Sequence, residues 1–182
     1  MKLLADLRSK QALYSQYGER CSLLRAALTD GTLANALYRL QEALSAAGLA
    51  PLALLPHWLN KWIHGCVIGV HARFGPGLVL VHPVGVVVNS AVRGGRDVRI
   101  ESGVVIGDNR GRSPVIGDDV FIGSGAKVIG GVRLGNGARI GANAVVLHDI
   151  PDGATAVGIP ARCLPRRGSG EGDADAGGGA GS

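Results

Sequence analysis

Aromatic side chains make up only 4% of the 182 residues: two Phe, three Tyr and two Trp. A chain so poor in rings cannot fill a core with bulky groups. Its 30 glycines point instead to small and aliphatic side chains packed between many tight bends. Cysteine is scarce too. Cys21, Cys66 and Cys163 are odd in number, far apart and without a C-x-x-C pair, which argues against a disulfide scaffold or a thiolate metal centre. Reduced thiols in a cytoplasmic protein are expected. The histidines form no recognisable metal-ligand motif with acids or thiols, so no metal is expected either. No run of eighteen apolar residues occurs, which argues against a membrane helix. Asp6 and Arg8 fall where a signal peptide needs an unbroken apolar core. Negative charge is also short. The formal net charge is +5, and the last fifteen residues, GSGEGDADAGGGAGS, hold three acids and no base, leaving about +8 on the body. The arginines are spread along the chain rather than clustered with aromatics, so nucleic acid is not the expected partner. A phosphorylated small molecule suits the charge better.

What is present falls into two patterns. Residues 1–64 carry helical spacing. Leu33, Leu37, Leu40 and Leu44 recur along one helical face; Asp30 is placed to cap that helix, Gly48 to end it and Pro51 to open the next. Nothing in this region forms a reactive constellation, and its expected role is packing or oligomer contact. From residue 66 a period of six takes over. Counting in sixes from Ile68 reaches Phe74, Leu80, Val86, Val92, Val98, Val104, Arg110, Ile116, Ile122, Val128, Leu134, Ile140 and Val146, and thirteen of these fourteen positions are apolar. Residues two places earlier are mostly small or aliphatic, and glycine often follows. This period predicts a mainly β architecture, a coil of short parallel strands with one inward side chain per hexad and a corner after it. The coil is expected over 65–150.

Arg110 breaks the period. An unpaired charge cannot occupy an interior ladder position, so GDNRGRSP, 107–114, is expected to leave the coil as a loop, a common carrier of binding groups. Proline and glycine spacing makes 151–167 a closing segment. The tail, 168–182, has no apolar residue larger than alanine and is expected to be disordered.

The hexads, together with GLVLVHPVGVVV (77–88), PVIGDDVFIGSGAKVIGGVRLGNGARIGANAVV (114–146) and DIPDGATAVGIPAR (149–162), resemble the hexapeptide-repeat acyltransferases, and among them the serine acetyltransferase group. DLRSKQALYS near the N-terminus is similar to the short members of that group. The resemblance implies a left-handed β-helix, a homotrimer or hexamer with sites between subunits, and acetyl-CoA as donor. It also implies that His82 is the base that takes the acceptor's hydroxyl proton for direct attack on the thioester. Arg112 matches the loop arginine that faces the substrate carboxylate, and Ser113 stands where the group carries a second histidine. Gly123, Ser124, Gly141 and Ala142 match corners along which the donor runs, while Arg139 and Arg162 are candidates for its phosphates. The tail lacks the large aliphatic terminus of a sulfhydrylase-docking segment, so no stable cysteine synthase complex is expected.

Imidazole suits the role because its unperturbed pKa lies near working pH. The departures fall on the groups around it. Val67 and Val81 replace carboxylates that the group places fifteen residues before the histidine and immediately before it. A backbone carbonyl, Glu101 or Asp108 is then the expected orienting partner. His57 reads as packing, and His71 and His148 as exposed turn residues. His64 is not assigned to the site, although it can approach it from one coil below. The expected activity is serine O-acetylation feeding cysteine synthesis. Acetylation of a sugar or specialised-metabolite hydroxyl, and a non-catalytic trimeric scaffold, remain as alternatives.

Overall fold

The computed structural model describes residues 2–16 and 22–165. Cys21 and the glycine-rich tail, for which disorder was expected, lie outside the described residues. Four helices come first: α1 Lys2–Gln16, α2 Leu23–Leu28, α3 Thr32–Ala46 and α4 Ala50–His64. Ser22 caps α2, its Oγ accepting the Arg25 N–H at 3.2 Å. The α3–α4 turn follows the expected chemistry, with left-handed Gly48 after α3 and Pro51 in the first turn of α4. The start of α3 does not. Its N-cap is Gly31, at φ +78°, and no side chain caps it; Asp30 stands one residue further out.

Short strands then wind as a parallel coil with three faces. The first coil holds β1 Val67–Ile68, β2 Arg73–Phe74 and β3 Val79–Leu80; the second β4 Val87–Val88, β5 Arg93–Gly94 and β6 Arg99–Ile100. The third holds β7 Val105–Gly107, β8 Val115–Ile116 and β9 Phe121–Ile122; the fourth β10 Lys127–Ile129, β11 Arg133–Leu134 and β12 Arg139–Ile140. β13 Val145–Val146 and β14 Thr155–Val157 begin a fifth, and β15 Arg162–Cys163 folds back antiparallel on β14 to close it. Stacking gives sheet A as β1-β4-β7-β10-β13, sheet B as β2-β5-β8-β11 and sheet C as β3-β6-β9-β12-β14-β15.

The register qualifies the count in sixes. Val67 pairs with Val87, Val87 with Val105, Val105 with Lys127 and Lys127 with Val145, so successive coils take 20, 18, 22 and 18 residues. Two extra residues lie between Leu80 and Val88, and four between Ile106 and Ile116. Together they make one hexad, which returns the count to register at Ile116. Between the two insertions the strand-borne inward residues are Val88, Gly94, Ile100 and Ile106. Val86, Val92, Val98 and Val104, reached by the unbroken count, are the second inward position of each hexad and are equally buried. Phe74 accounts for one scarce aromatic: its ring occupies the space a Cβ on Gly94 would need.

α3 presents to the coil a face that the leucine stripe does not predict. Leu33 and Leu40 are exposed, whereas Asn35, Tyr38, Arg39, Gln41 and Glu42 are buried. The reason is the first coil's open edge, whose backbone groups have no strand beneath them and must find other partners. Arg39 donates to the carbonyls of Phe74 and Gly75, and Gln41 to those of Ile68 and Gly69. Asn35 donates to Leu78 O and accepts Leu80 N–H, while Asp6 of α1 accepts the N–H groups of Gly77 and Leu78. The charges close among themselves: Arg39 pairs with Asp6 and Glu42, each at 2.7 Å, and Lys2 with Glu42 at 3.0 Å. Burial alone would raise the Glu42 carboxyl, but the hydrogen bonds from Lys2 and Arg39 outweigh it and hold it below its ordinary value.

Candidate functional site

The corner between sheets C and A builds a row of turns along the coil axis. Gly85 N–H donates to Gly65 O, Gly103 N–H to Val84 O, Gly125 N–H to Ser102 O and Asn143 N–H to Ser124 O. In the upper coils each corner is a tight, small-residue turn. Gly123 packs so closely on Ala142 and Ile140 that a Cβ there would lie 2.9 Å from their backbone atoms; its glycine is required by coil stacking before any ligand is considered. Gly141 meets the Val157 side chain in the same way. Ser124 and Ala142 stand exposed beside them. Lys127 ties the row together, donating to Gly103 O at 2.8 Å and Gly125 O at 2.7 Å.

The lowest corner of this row is the one with two extra residues, Val81-His82-Pro83-Val84-Gly85. The widening lets the His82 ring leave the wall, and its side chain is 55% exposed. A strand spacing of about 4.8 Å puts His82 about 10 Å below Gly123–Ser124 and about 14 Å below Gly141–Ala142. The structure therefore aligns on one row the expected base and four of the positions expected to meet the donor. His82 opens on a cleft of about 330 Å³ lined also by Asp30, Gly31, Ile63, His64 and Val84.

Neither expected substitute acid reaches the ring among the described contacts. Asp108 accepts the Gly111 N–H inside its own loop, and the Glu101 backbone continues the ladder to Ile122. The acid at His82 is Asp30, whose Oδ2 lies 3.6 Å from Nδ1. Sequence reasoning assigned Asp30 to the helix cap, a role emptied by the glycine at the N-cap. His64, left outside the site on sequence grounds, lines this cleft, and its Nε2 is buried with no hydrogen-bond partner. The other histidines behave as read: His57 donates from Nδ1 to Ile68 O at 3.1 Å, and His71 and His148 are exposed.

Arg112 lies on the expected loop, at the corner between sheets A and B. Paired backbone bonds between Asn109 and Arg112 close the loop. Arg112 packs over Gly131 and lines a second cleft, of about 440 Å³, with Asn109, His148 and Asp149. This cleft shares no residue with that of His82, so one chain holds the two groups at opposite edges of sheet A. Ser113 Oγ donates to Asn89 Oδ1 at 3.1 Å. Arg139 is fastened to Asp119, 2.9 Å from Oδ2, and Arg99 pairs with the same acid. Burial tends to raise the Asp119 carboxyl, and the two guanidiniums outweigh that to hold it low. Arg162 is exposed on β15 and has no ion-pair partner among the described residues. The described residues contain no cluster of three metal-ligating side chains and no helix long and apolar enough to cross a membrane.

The parallel coil with its row of small corners is that of a hexapeptide-repeat transferase. Residues 113–148 match the family described as bacterial transferase hexapeptide (six repeats). A serine acetyltransferase of Helicobacter pylori strain J99 is 40% identical over 143 residues, covering 76% of this chain and 84% of that protein. That of Bacillus subtilis strain 168 is 36% identical over 135 residues, covering 72% and 62%. Among solved structures, the soybean serine acetyltransferase complexed with serine superposes with a TM-score of 0.80 at 34% identity, over 89% of this chain and 68% of that one. A serine acetyltransferase in complex with CoA gives 0.82 at 30% identity, over 90% and 68%. The chain belongs to the serine acetyltransferase family, and its coil is the left-handed parallel β-helix expected from the resemblance.

Proposed function

We propose that the chain is an acetyl-CoA-dependent serine O-acetyltransferase in which His82 is the general base. The observation that carries the reading is the placement of His82 on the widened corner at the foot of the small-residue row. An extended donor lying along Gly141–Ala142 and Gly123–Ser124 would deliver its thioester there. His82 takes the proton of the serine hydroxyl as the oxygen attacks the acetyl carbonyl. The new C–O bond forms, the C–S bond breaks, and the proton passes from the imidazolium to the departing thiolate. Base assistance of this kind is worth roughly 10²- to 10⁴-fold.

The acetyl group passes directly, without an enzyme thiol. Cys66, the cysteine nearest this corner in sequence, is fully buried, and burial pushes its thiol up to about 12, so at neutral pH it is not a nucleophile. Arg112 faces the acceptor carboxylate as a planar fork of donors. The opposite placement of His82 and Arg112 in one chain supports a homotrimer in which each site takes its base from one subunit and its arginine from the next. The free thiols of Cys66 and Cys163 support a reducing, cytoplasmic setting. Val67 and Val81, in place of acids, favour a sugar or specialised-metabolite hydroxyl as the acceptor, the second reading. Thiol release from acetyl-CoA is expected with L-serine and to fall at least 100-fold in His82→Ala with the fold intact by circular dichroism. Turnover with an amino sugar but none with serine would move the assignment to the second reading.

A further inference from the structure

Asp30 stands beside the candidate base, and the way it is held there is specific. Its backbone belongs to the elbow between α2 and α3, which presses on the end of β3. Gly31 makes the contact. It is buried at φ +78°, and a Cβ on it would collide with the carbonyl oxygen of Leu80, so only glycine brings the elbow this close. The neighbouring residues pin the elbow from both sides. Asn35, on the first turn of α3, holds Leu78 O and Leu80 N–H. Lys10 of α1, itself buried, donates from Nζ to the Asp30 carbonyl and to Thr32 Oγ1. Thr32 Oγ1 in turn donates to Ala26 O at 2.7 Å, tying α2 to the same point. The backbone of Asp30 is thus fixed relative to the strand that runs into His82, while its carboxylate stays exposed.

The ring faces this carboxylate with Nδ1, at 3.6 Å. An acid on Nδ1 favours the tautomer that carries its proton there, leaving Nε2 free to accept. The resemblance places such an acid fifteen residues before the histidine, where this chain carries Val67. We propose that Asp30 is the positioning residue of this site: it holds the Nδ1–H tautomer of His82 and aims Nε2 at the acceptor hydroxyl. The inference rests on His82 acting as the base. The pair is exposed, so its worth lies in orientation rather than in attraction, exposed pairs contributing little of the latter.

The test uses the full chain and two readouts. In Asp30→Asn, kcat for serine acetylation is expected to fall about 10- to 100-fold, a part of the general-base contribution, with KM for acetyl-CoA unchanged. Asp30→Glu, which restores a carboxylate at the same place, recovers most of the loss. Independently of turnover, long-range ¹⁵N correlation spectra of ¹⁵N-histidine-labelled protein report each ring's tautomer. The wild-type His82 ring is expected as Nδ1–H, and the Asn variant as a mixture of tautomers. Wild-type kcat and an unchanged His82 tautomer in Asp30→Asn would overturn the proposal. A 10- to 100-fold loss in Asp30→Asn without a tautomer change, unrecovered by Asp30→Glu, would overturn it as well, assigning Asp30 to acceptor binding. If wild type acetylates no acceptor yet Asp30→Asn still shifts the tautomer, the positioning role stands and the assigned activity falls.

Discussion

An imidazole on a parallel coil must clear its own wall before it can touch a substrate, and the two additional residues between Leu80 and Val88 give His82 that clearance. Shortening the corner by deleting Pro83 and Val84 is expected to return it to the common hexad length and draw the ring back against the wall. Acetyl transfer should then fall to the level of His82→Ala while acetyl-CoA binding, measured calorimetrically, is retained. His82 was legible as an oddity within an apolar run, because a lone polar ring between inward positions is visible in one dimension. Asp30 was not. Its local context, an acid and a glycine before a helix, carries the signal of an N-cap; its actual partner lies more than fifty residues away, and nothing in the local pattern reports a contact at that range. Val67 and Val81 were informative in the opposite sense, since by the resemblance they leave the orienting of His82 to a backbone carbonyl or to an acid elsewhere in the chain.

Among the elements, the helical cap on the first coil carries most of the buried charge. Arg39→Met leaves buried Asp6 without a cationic partner among the described ion pairs and Glu42 with Lys2 alone, and strips donors from two edge carbonyls. A loss of about 3–5 kcal/mol is expected from such a break, read as a lower midpoint in urea. Glu42 adds a dependence on pH. Its folded pKa lies below the unfolded value of about 4.3, so its contribution is complete above that value and is lost as pH falls through the folded one. Glu42→Gln should therefore be less stable than wild type at pH 7, and the gap should narrow below about pH 4. Denaturation curves across pH 3–7 check the sign. The elbow supplies a third test: Gly31→Ala lifts Asp30 from the corner, so adding Asp30→Asn to it should cost no further activity. The hexads made the strands legible, but not the slips between them. Insertions of two and four sum to one period, and both inward positions of each hexad are apolar, so the count ran on unbroken through a change of register. The polar face of α3 was hidden for a related reason. An amphipathic stripe marks what avoids water, not what an open sheet edge requires.

At the scale of the whole molecule, the proposed sharing of a site between His82 of one subunit and Arg112 of the next would make catalysis a property of the assembly. His82→Ala and Arg112→Ala chains, each impaired alone, are expected to recover activity when unfolded together and refolded as mixed trimers. For random mixing of equal amounts, about one quarter of the sites pair an intact base with an intact arginine. Recovery near that fraction supports sites shared between subunits, and no recovery places both groups in one chain. The unequal coils, of 20, 18, 22 and 18 residues, have a further consequence. Each strand finds its place by pairing with the coil below, not by its distance along the chain, so corners tolerate insertion without disturbing the ladder. Length is free to vary where chemistry is carried and fixed where stability is made, and such a scaffold can acquire a new acceptor preference one corner at a time.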